Sequence, residues 1–278
     1  MLSYYTAEPV TERVTAIRSL TGEILYLVRG RDRAILIDTG VGVRGLRALV
    51  ESLTDKPLTV LLTHGHVDHA MGAGEFDEVH LNILDLPVYR EMAGLEVRRE
   101  YIAMGLGQRE QMLEEGDFVP PFPVNVRAMN DGEVFDAGDL QVQALHFPGH
   151  TPGMTAFLIV DERVLVLGDG CNQRTFMFDH NSVSVEEYRA NVVALDERTR
   201  GRYDRVFITH GVIDVPVTIL GEASRLCDEV LAGNSDEVPF EFLGHHALVA
   251  RAFDEETGAR RDGGFFNLVY DPARLHRA

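Results

Sequence analysis

Cysteine is scarce in this chain of 278 residues, which contains only Cys171 and Cys227. Two cysteines this far apart do not make a disulfide framework, and the chain is long enough to bury a substantial hydrophobic core instead. We therefore expect Cys227 to be a small buried residue of a helix. Cys171 is expected to serve in packing, although it lies close in sequence to a candidate metal ligand.

Positively charged residues are also few. Lysine and arginine total 26 against 44 aspartates and glutamates, which gives a net charge of −18. A field of this sign repels phosphate backbones and anionic lipid headgroups. The composition therefore disfavours a nuclease, and we expect neither a nucleic-acid partner nor a membrane partner.

Long apolar runs are absent as well. No stretch approaches the roughly 20 residues that a helix needs to cross a bilayer. Residues 1–9 have neither the basic start nor the apolar segment of a signal peptide, so a cytoplasmic location is expected. The sequence also lacks internal repeats, low-complexity segments and Ser/Gly linkers, and we predict a single domain over residues 1–278.

Strand-like segments alternate with helix-like segments along the chain, as periodicity and turn residues indicate. Such alternation predicts an α/β protein with sheets at the centre and helices outside. Ser184 stands three residues before Glu187, which is the spacing of a helix capping box. The predicted strands are 23–29, 33–37, 58–62, a brief one near 79, 124–128, 140–147, 155–160, 163–167 and 205–209, and the predicted helices are 43–53, 184–199 and 216–231.

Two further segments stand apart from this alternation. Residues 82–123 are rich in good helix formers, and we predict a helical insertion of two helices, broken near Gly94 or near 105–107 and ended by the proline-rich run at 120–123. It is a candidate substrate lid or subunit contact, with simple packing as the alternative. A C-terminal hairpin is predicted at about 247–270. The insertion's candidate pocket-lining side chains are Tyr89, Met92, Tyr101, Met104, Met112 and Phe118.

Candidate ligands are concentrated in the segment Thr-His-Gly-His-Val-Asp-His, which directly follows the predicted strand at 58–62. A single glycine separates the first two histidines and lets the backbone fold tightly. Imidazole nitrogen and carboxylate oxygen are ligands that borderline divalent metals such as zinc prefer. The alternative is a histidine-rich surface turn, in which each of these groups would need a separate partner. The candidate ligands of this segment are His64, His66, Asp68 and His69.

More candidate ligands follow other predicted strands. Strand ends collected at one edge of a sheet are places where a metal site can be assembled. A single histidine after a strand is more often a structural residue, but these positions and the first segment together indicate one centre. The additional positions are Asp38, His150, Asp169 and His210.

Taken together, the motifs resemble those of the metallo-β-lactamase superfamily over roughly residues 20–215. The match includes the His-x-His-x-Asp-His motif, the Ile-Asp-Thr-Gly sequence around Asp38 and the Pro-Gly-His-Thr-Pro-Gly sequence around His150. The resemblance implies an αβ/βα sandwich, in which two mixed β-sheets are flanked by helices and the site lies at one edge.

The resemblance also implies two divalent metal ions, with zinc expected and iron or manganese as alternatives. Asp38 resembles a carboxylate that orients a ligating imidazole from outside the ligand set, and a plain turn aspartate is the alternative. The implied ligands are His64, His66 and His150 for the first metal, Asp68, His69 and His210 for the second, and Asp169 for both.

The implied reaction is hydrolysis of an ester, thioester, lactone or related small substrate by a metal-bridging hydroxide. Asp68 is expected to be catalytic as well as ligating, because it can accept and pass on the proton of the attacking water. A mononuclear non-haem iron persulfide dioxygenase shares this ligand set and is the alternative from another class. A phosphodiesterase is a further alternative, and a homodimer stays open.

Departures from individual subgroups narrow the resemblance. Asp169 excludes close similarity to lactamases with cysteine in that region, and His66 excludes the flavin-coupled di-iron subgroup. The lactonase subgroup carries a tyrosine where this chain has Asn172, which disfavours homoserine-lactone hydrolysis. Glyoxalase II holds glutathione with C-terminal basic residues, but Arg260 and Arg261 are expected to be solvated in the predicted hairpin.

Overall fold

Two mixed β-sheets face each other at the centre of the computed structural model, which describes residues 3–120, 125–242 and 244–277. Helices cover the outer face of each sheet. This arrangement confirms the predicted αβ/βα sandwich.

The first sheet has seven strands that lie in the order of the chain. Its first four strands are antiparallel, and its last four are parallel. The two N-terminal strands were not predicted from the sequence. The strands are β1 (Tyr5–Pro9), β2 (Val14–Ser19), β3 (Ile24–Arg29), β4 (Ala34–Ile37), β5 (Leu58–Leu61), β6 (Val79–Leu81) and β7 (Val126–Ala128).

The second sheet has six strands. Its strands are β8 (Val134–Asp136), β9 (Gln141–His146), β10 (Thr155–Ile159), β11 (Val164–Val166), β13 (Arg205–Phe207) and β14 (Asp214–Val215). Their order across the sheet is β14-β13-β11-β10-β9-β8, and β11 and β13 are parallel neighbours. The remaining strand of this region, β12 (Thr175–Met177), belongs to a third sheet.

The third sheet corrects the predicted C-terminal hairpin. Strands β16 (His245–Val249) and β17 (Leu268–Tyr270) do pair in antiparallel fashion, but residues 250–267 separate them. They form the middle of a four-stranded sheet, with β12 beside β17 and β15 (Val238–Phe242) beside β16. Neither edge strand was predicted. Strand β12 is three residues long and pairs with β17, far along the chain, whereas β15 pairs with β16, which follows it directly.

Six α-helices lie among the described residues, and none of them is long and apolar enough to span a membrane. Ser184 accepts a hydrogen bond from the Glu187 amide at 3.2 Å, as its capping position predicts. Pro216 was expected in the first helical turn but precedes it, and its carbonyl accepts from the Ile219 amide. The helices are α1 (Leu46–Leu53), α2 (Val67–Ala70), α3 (Leu86–Met92), α4 (Leu95–Leu106), α5 (Val185–Thr199) and α6 (Ile219–Leu231).

Alternation along the strands builds the layers of the core. In β3, Tyr26 and Val28 face the apolar layer between the two large sheets, whereas Leu25 and Leu27 face the helices α1 to α4. Successive side chains of a strand point to opposite faces of the sheet, so a strand that is buried on both faces contributes to two apolar layers. Helices α5 and α6 cover the second sheet in the same way.

Helices α3 and α4 lie in the predicted insertion. Arg98 of α4 is 1% exposed and donates hydrogen bonds to the carbonyls of Val41, Gly42 and Val119 at 3.0, 2.6 and 2.7 Å. Three carbonyl acceptors offset much of the cost of burying the guanidinium. The helix is therefore held against the loop that follows β4. The predicted proline-rich end of the insertion at 121–123 lies outside the described residues.

Backbone hydrogen bonds join the two large sheets at the edge where several strands end. The Thr155 amide donates to the Thr63 carbonyl, and the Ile24 amide donates to the Thr209 carbonyl, both at 2.8 Å. Because Thr63 and Thr209 each precede a candidate histidine, these bonds fix the ligand-bearing loops of the two sheets against each other.

Candidate metal centre

Two clusters of imidazole and carboxylate side chains lie beside each other at this edge, beyond the ends of β5, β9, β11 and β13. Within each cluster the candidate ligand atoms lie within 4.8 Å of one another. All ligand positions predicted from the sequence are therefore brought together. We call the clusters the three-histidine group, which is His64, His66 and His150, and the mixed group, which is Asp68, His69, Asp169 and His210.

The three-histidine group contains two imidazoles, His64 and His66, that burial keeps neutral. Nδ1 of His66 lies 2.9 Å from Nε2 of His150. Nε2 of His64 and Nε2 of His66 are buried without a hydrogen-bond partner among the described residues. Burial, followed by the neighbouring imidazoles, lowers the pKa of His64 well below its usual range and that of His66 to about 3. Neutral imidazole is the form that binds a metal.

The mixed group places carboxylate oxygens against imidazole nitrogens. Nε2 of His210 lies 3.2 Å from Oδ2 of both Asp68 and Asp169, and Nε2 of His69 lies 3.3 Å from Oδ2 of Asp68. Burial opposes protonation of His210, but the negative charges of Asp169 and Asp68 outweigh it and raise its pKa to about 10. A divalent cation bound there would displace this proton.

Asp169, a member of the mixed group, also faces the three-histidine group. Its Oδ2 is 3.9 Å from Nε2 of His150 and 3.2 Å from Nε2 of His210. Its Oδ1 accepts the Thr209 hydroxyl at 2.8 Å, which fixes the carboxylate. A single carboxylate oxygen is thus near ligand atoms of both groups.

Asp38 holds one imidazole of each group. It has a φ of 66°, a left-handed conformation that aspartate tolerates better than most residues. Its carboxylate accepts from Nδ1 of His69 at 2.8 Å and from the Thr63 hydroxyl at 2.8 and 2.9 Å. Because that hydroxyl has one proton, it must accept from Nδ1 of His64, 2.9 Å away. Nδ1 of both imidazoles is therefore engaged, and Nε2 is the nitrogen that can bind a cation, in His69 after the loss of the proton that the neighbouring carboxylates favour.

His150 is oriented in a similar way from the third sheet. Its Nδ1 donates to the Phe176 carbonyl at 2.6 Å, so Nε2, which faces Nδ1 of His66, is the nitrogen that can bind a cation. Sequence analysis placed no residue in this role, because a backbone carbonyl carries no sequence signal.

Asp85 is a further residue that sequence analysis missed. It is fully buried and accepts hydrogen bonds from the Gly65 amide, the Gly153 amide and the Thr151 hydroxyl at 2.9, 2.5 and 2.7 Å. Burial raises the pKa of Asp85, and the three hydrogen bonds oppose that shift. The carboxylate ties the His64 loop to the His150 loop. Its only sequence signal was an aspartate within an apolar stretch.

Cys171 and Asn172, which follow Asp169 closely in sequence, are both buried. Cys171 is fully buried, and burial raises the pKa of its thiol far above the usual range, which agrees with a packing role. Cys227 is likewise buried, on α6 as expected. Nδ2 of Asn172, at the position of the lactonase tyrosine, lies 3.5 Å from Oδ1 of Asp169.

The candidate lid side chains separate into different environments. Tyr89 and Phe118 are buried in the core, whereas Met104 and Met112 are exposed. Tyr101 contacts the site directly, because its hydroxyl donates to Oδ2 of Asp68 at 2.9 Å.

Arg260 and Arg261, which were expected to be solvated, lie in different environments. Arg260 pairs with Asp262 and donates to the Phe266 carbonyl, while Arg261 is exposed. A neutralised Arg260 is poorly placed to hold an anionic ligand. Three histidines that have no motif around them are exposed, namely His180, His245 and His246.

The donor set fits divalent cations. It offers imidazole nitrogens and carboxylate oxygens, held by hydrogen bonds behind the ligand atoms, which borderline ions such as zinc or iron(II) accept. A family model for the metallo-beta-lactamase superfamily matches residues 25–210, a range that contains every ligand position. The chain belongs to the metallo-β-lactamase superfamily. Its two groups are the metal-binding cluster of a superfamily that has dinuclear sites.

Curated relatives within the superfamily include two thioesterases. The acyl-coenzyme A thioesterase MBLAC2 from Bos taurus is 27% identical over 163 residues, which is 52% of this chain and 57% of that protein. An atrochrysone carboxyl ACP thioesterase from Pseudocercospora fijiensis is 23% identical over 214 residues, 75% of this chain and 54% of that protein. The matches thus span little more than half the length of these relatives.

A solved structure gives information on the metal. TTHA1623, determined in a di-iron-bound form, is 30% identical with a TM-score of 0.54, and the match covers 73% of this chain and 92% of that one. A superfamily protein of this similarity therefore holds two irons, so the fold alone does not select zinc.

Proposed function

We propose that this protein is a dinuclear metal-dependent hydrolase of acyl thioesters. The observation that carries the dinuclear assignment is Oδ2 of Asp169, which lies near ligand nitrogens of both groups. The thioester assignment is supported by the two thioesterases among the relatives.

Each group would hold one cation. His64, His66 and His150 would bind the first through nitrogen atoms, and Asp169 would bridge to the second. When bound, the two ions would lower the pKa of a shared water towards neutrality and polarise the scissile carbonyl. The second cation would be held by Asp68, His69 and His210.

Asp68 has a further role in this proposal. Its carboxylate belongs to the mixed group, and His69 and His210 lower its pKa well below the usual range despite burial. It is therefore ionised at neutral pH and can accept a proton from the attacking water. Passing that proton to the thiolate leaving group would complete hydrolysis, yielding a carboxylic acid and a thiol.

The mixed group does not separate this function from that of a mononuclear persulfide dioxygenase, because that subgroup shares the ligand set. The support for the hydrolase comes from the two thioesterases among the relatives. A phosphodiesterase is less well supported, because a net charge of −18 repels a polyanionic substrate.

The metal itself is a separate choice within the proposal. Zinc suits the nitrogen and oxygen donors, and iron is the ion in the di-iron relative. A cytoplasmic location, a single domain over residues 1–278 and a homodimer stay predictions.

The decisive experiment combines metal analysis with a substrate panel. Full-length protein would be expressed with zinc or iron, and metal would be counted per chain after saturation. Turnover would then be compared on acyl-coenzyme A, simple ester, lactone and phosphodiester substrates. Two metals per chain with preferred thioester hydrolysis is the expected result. One iron at saturation with persulfide oxidation would overturn the proposal.

A further inference from the structure

Tyr101 brings the helical insertion into the metal centre. It lies on α4, and its hydroxyl donates to Oδ2 of Asp68 at 2.9 Å. The same oxygen faces Nε2 of His69 and Nε2 of His210 at 3.3 and 3.2 Å. The phenol therefore contacts a carboxylate oxygen that faces both histidines of the mixed group.

The position of Tyr101 is fixed by its own helix. Arg98 lies three residues earlier, on the same face of α4, and its buried guanidinium binds the carbonyls of Val41, Gly42 and Val119. Val41 and Gly42 belong to the loop that follows β4 and Asp38. Helix α4 is thus anchored to the loop that also carries a residue orienting the ligands.

We infer that Tyr101 is a positioning residue for the second metal site. By donating to Asp68, it fixes the rotamer in which Oδ2 faces the two histidines. Residues outside the ligand set that orient a ligand typically change metal affinity by about 10- to 100-fold when removed. The inference rests on the proposed dinuclear function.

Removal of the hydroxyl tests this role. Tyr101→Phe keeps the ring and its packing, so the fold should be retained. Zinc affinity would be measured for both sites of the full-length protein in chelator-buffered titrations. We expect the weaker, second zinc to lose about 10- to 100-fold in affinity while the first changes little. On a thioester substrate, kcat at subsaturating zinc should fall more than KM rises.

A matched control separates positioning from packing. Tyr5 is also buried, and its hydroxyl donates to the Val43 carbonyl at 2.9 Å, away from any candidate ligand. Tyr5→Phe should leave both zinc affinities unchanged. If Tyr101→Phe binds two zinc ions as tightly as the wild type, the role of Tyr101 is overturned. If the wild-type protein binds fewer than two zinc ions per chain, both the proposed function and this inference are overturned.

Discussion

The carboxylate of Asp38 and the imidazole of His69 form a fully buried pair, joined by a 2.8 Å hydrogen bond to Nδ1. The same carboxylate reaches His64 through the Thr63 hydroxyl. One side chain thus sets which nitrogen is free in an imidazole of each group.

Replacing Asp38 by asparagine should therefore weaken both metals. An amide NH₂ facing His69 would favour the tautomer with the proton on Nε2, which cannot bind a cation. We expect affinity to fall about 10- to 100-fold, measured by zinc titration. Asp55→Asn, at an exposed aspartate, is the control. Unchanged affinities in Asp38→Asn would show that the tautomers are set by other groups.

Asp68→Asn should lower turnover by a larger factor than it lowers the metal content of the protein. The change keeps the size and one oxygen of the side chain but removes the charge that accepts a proton. General-base contributions are typically about a hundred- to ten-thousand-fold. Turnover per bound metal pair at saturating metal is the measurement. Activity within about threefold of the parent would reduce Asp68 to a ligand and move proton transfer to Asp169 or bulk water.

Asp85→Ala should destabilise the protein and loosen the three-histidine group. The change leaves the buried amides of Gly65 and Gly153 and the Thr151 hydroxyl without their acceptor. Each unsatisfied buried group costs about 1–3 kcal/mol. Urea unfolding of metal-free protein would report the loss of stability, with Asp55→Ala as the control. Equal midpoints for Asp85→Ala and the wild type would mean that water replaces the carboxylate.

The two groups should differ in how zinc binding depends on pH. The pKa of His66 is lowered to about 3, so above pH 6.5 this imidazole holds no proton for a metal to displace. Neighbouring carboxylates raise the pKa of His210 to about 10 and that of His69 well above its usual range. A metal that enters the mixed group must therefore release one or two protons, and its affinity should rise at least about tenfold per pH unit between pH 7 and 9.

Calorimetric zinc titrations in two buffers of different ionisation enthalpy would count the protons. The first zinc should give nearly the same heat in both, and the second should differ. Equal proton release by both ions would contradict the assigned protonation of His210.

The ligands and the main strands could be predicted from sequence because their signals are local. The His64 segment carries its own motif, and apolar runs with turn residues mark strands such as β3. Asp85 could not be found this way, because its partners Thr151 and Gly153 lie 66 and 68 residues away. Tyr101 was predicted only as a pocket-lining side chain. Its contact with Asp68 could not be predicted, because no local pattern shows that helix α4 turns the hydroxyl towards that residue.

The shared oxygen of Asp169 implies a particular order of events during loading. A cation in the three-histidine group would partly neutralise the negative charge of Asp169, so Asp169 would attract a cation in the mixed group less strongly. The two cations would also repel each other. Uptake should therefore be negatively cooperative. Half-loaded protein would persist over a wide range of free metal, so the metal supply of the cell would control the fraction of active enzyme.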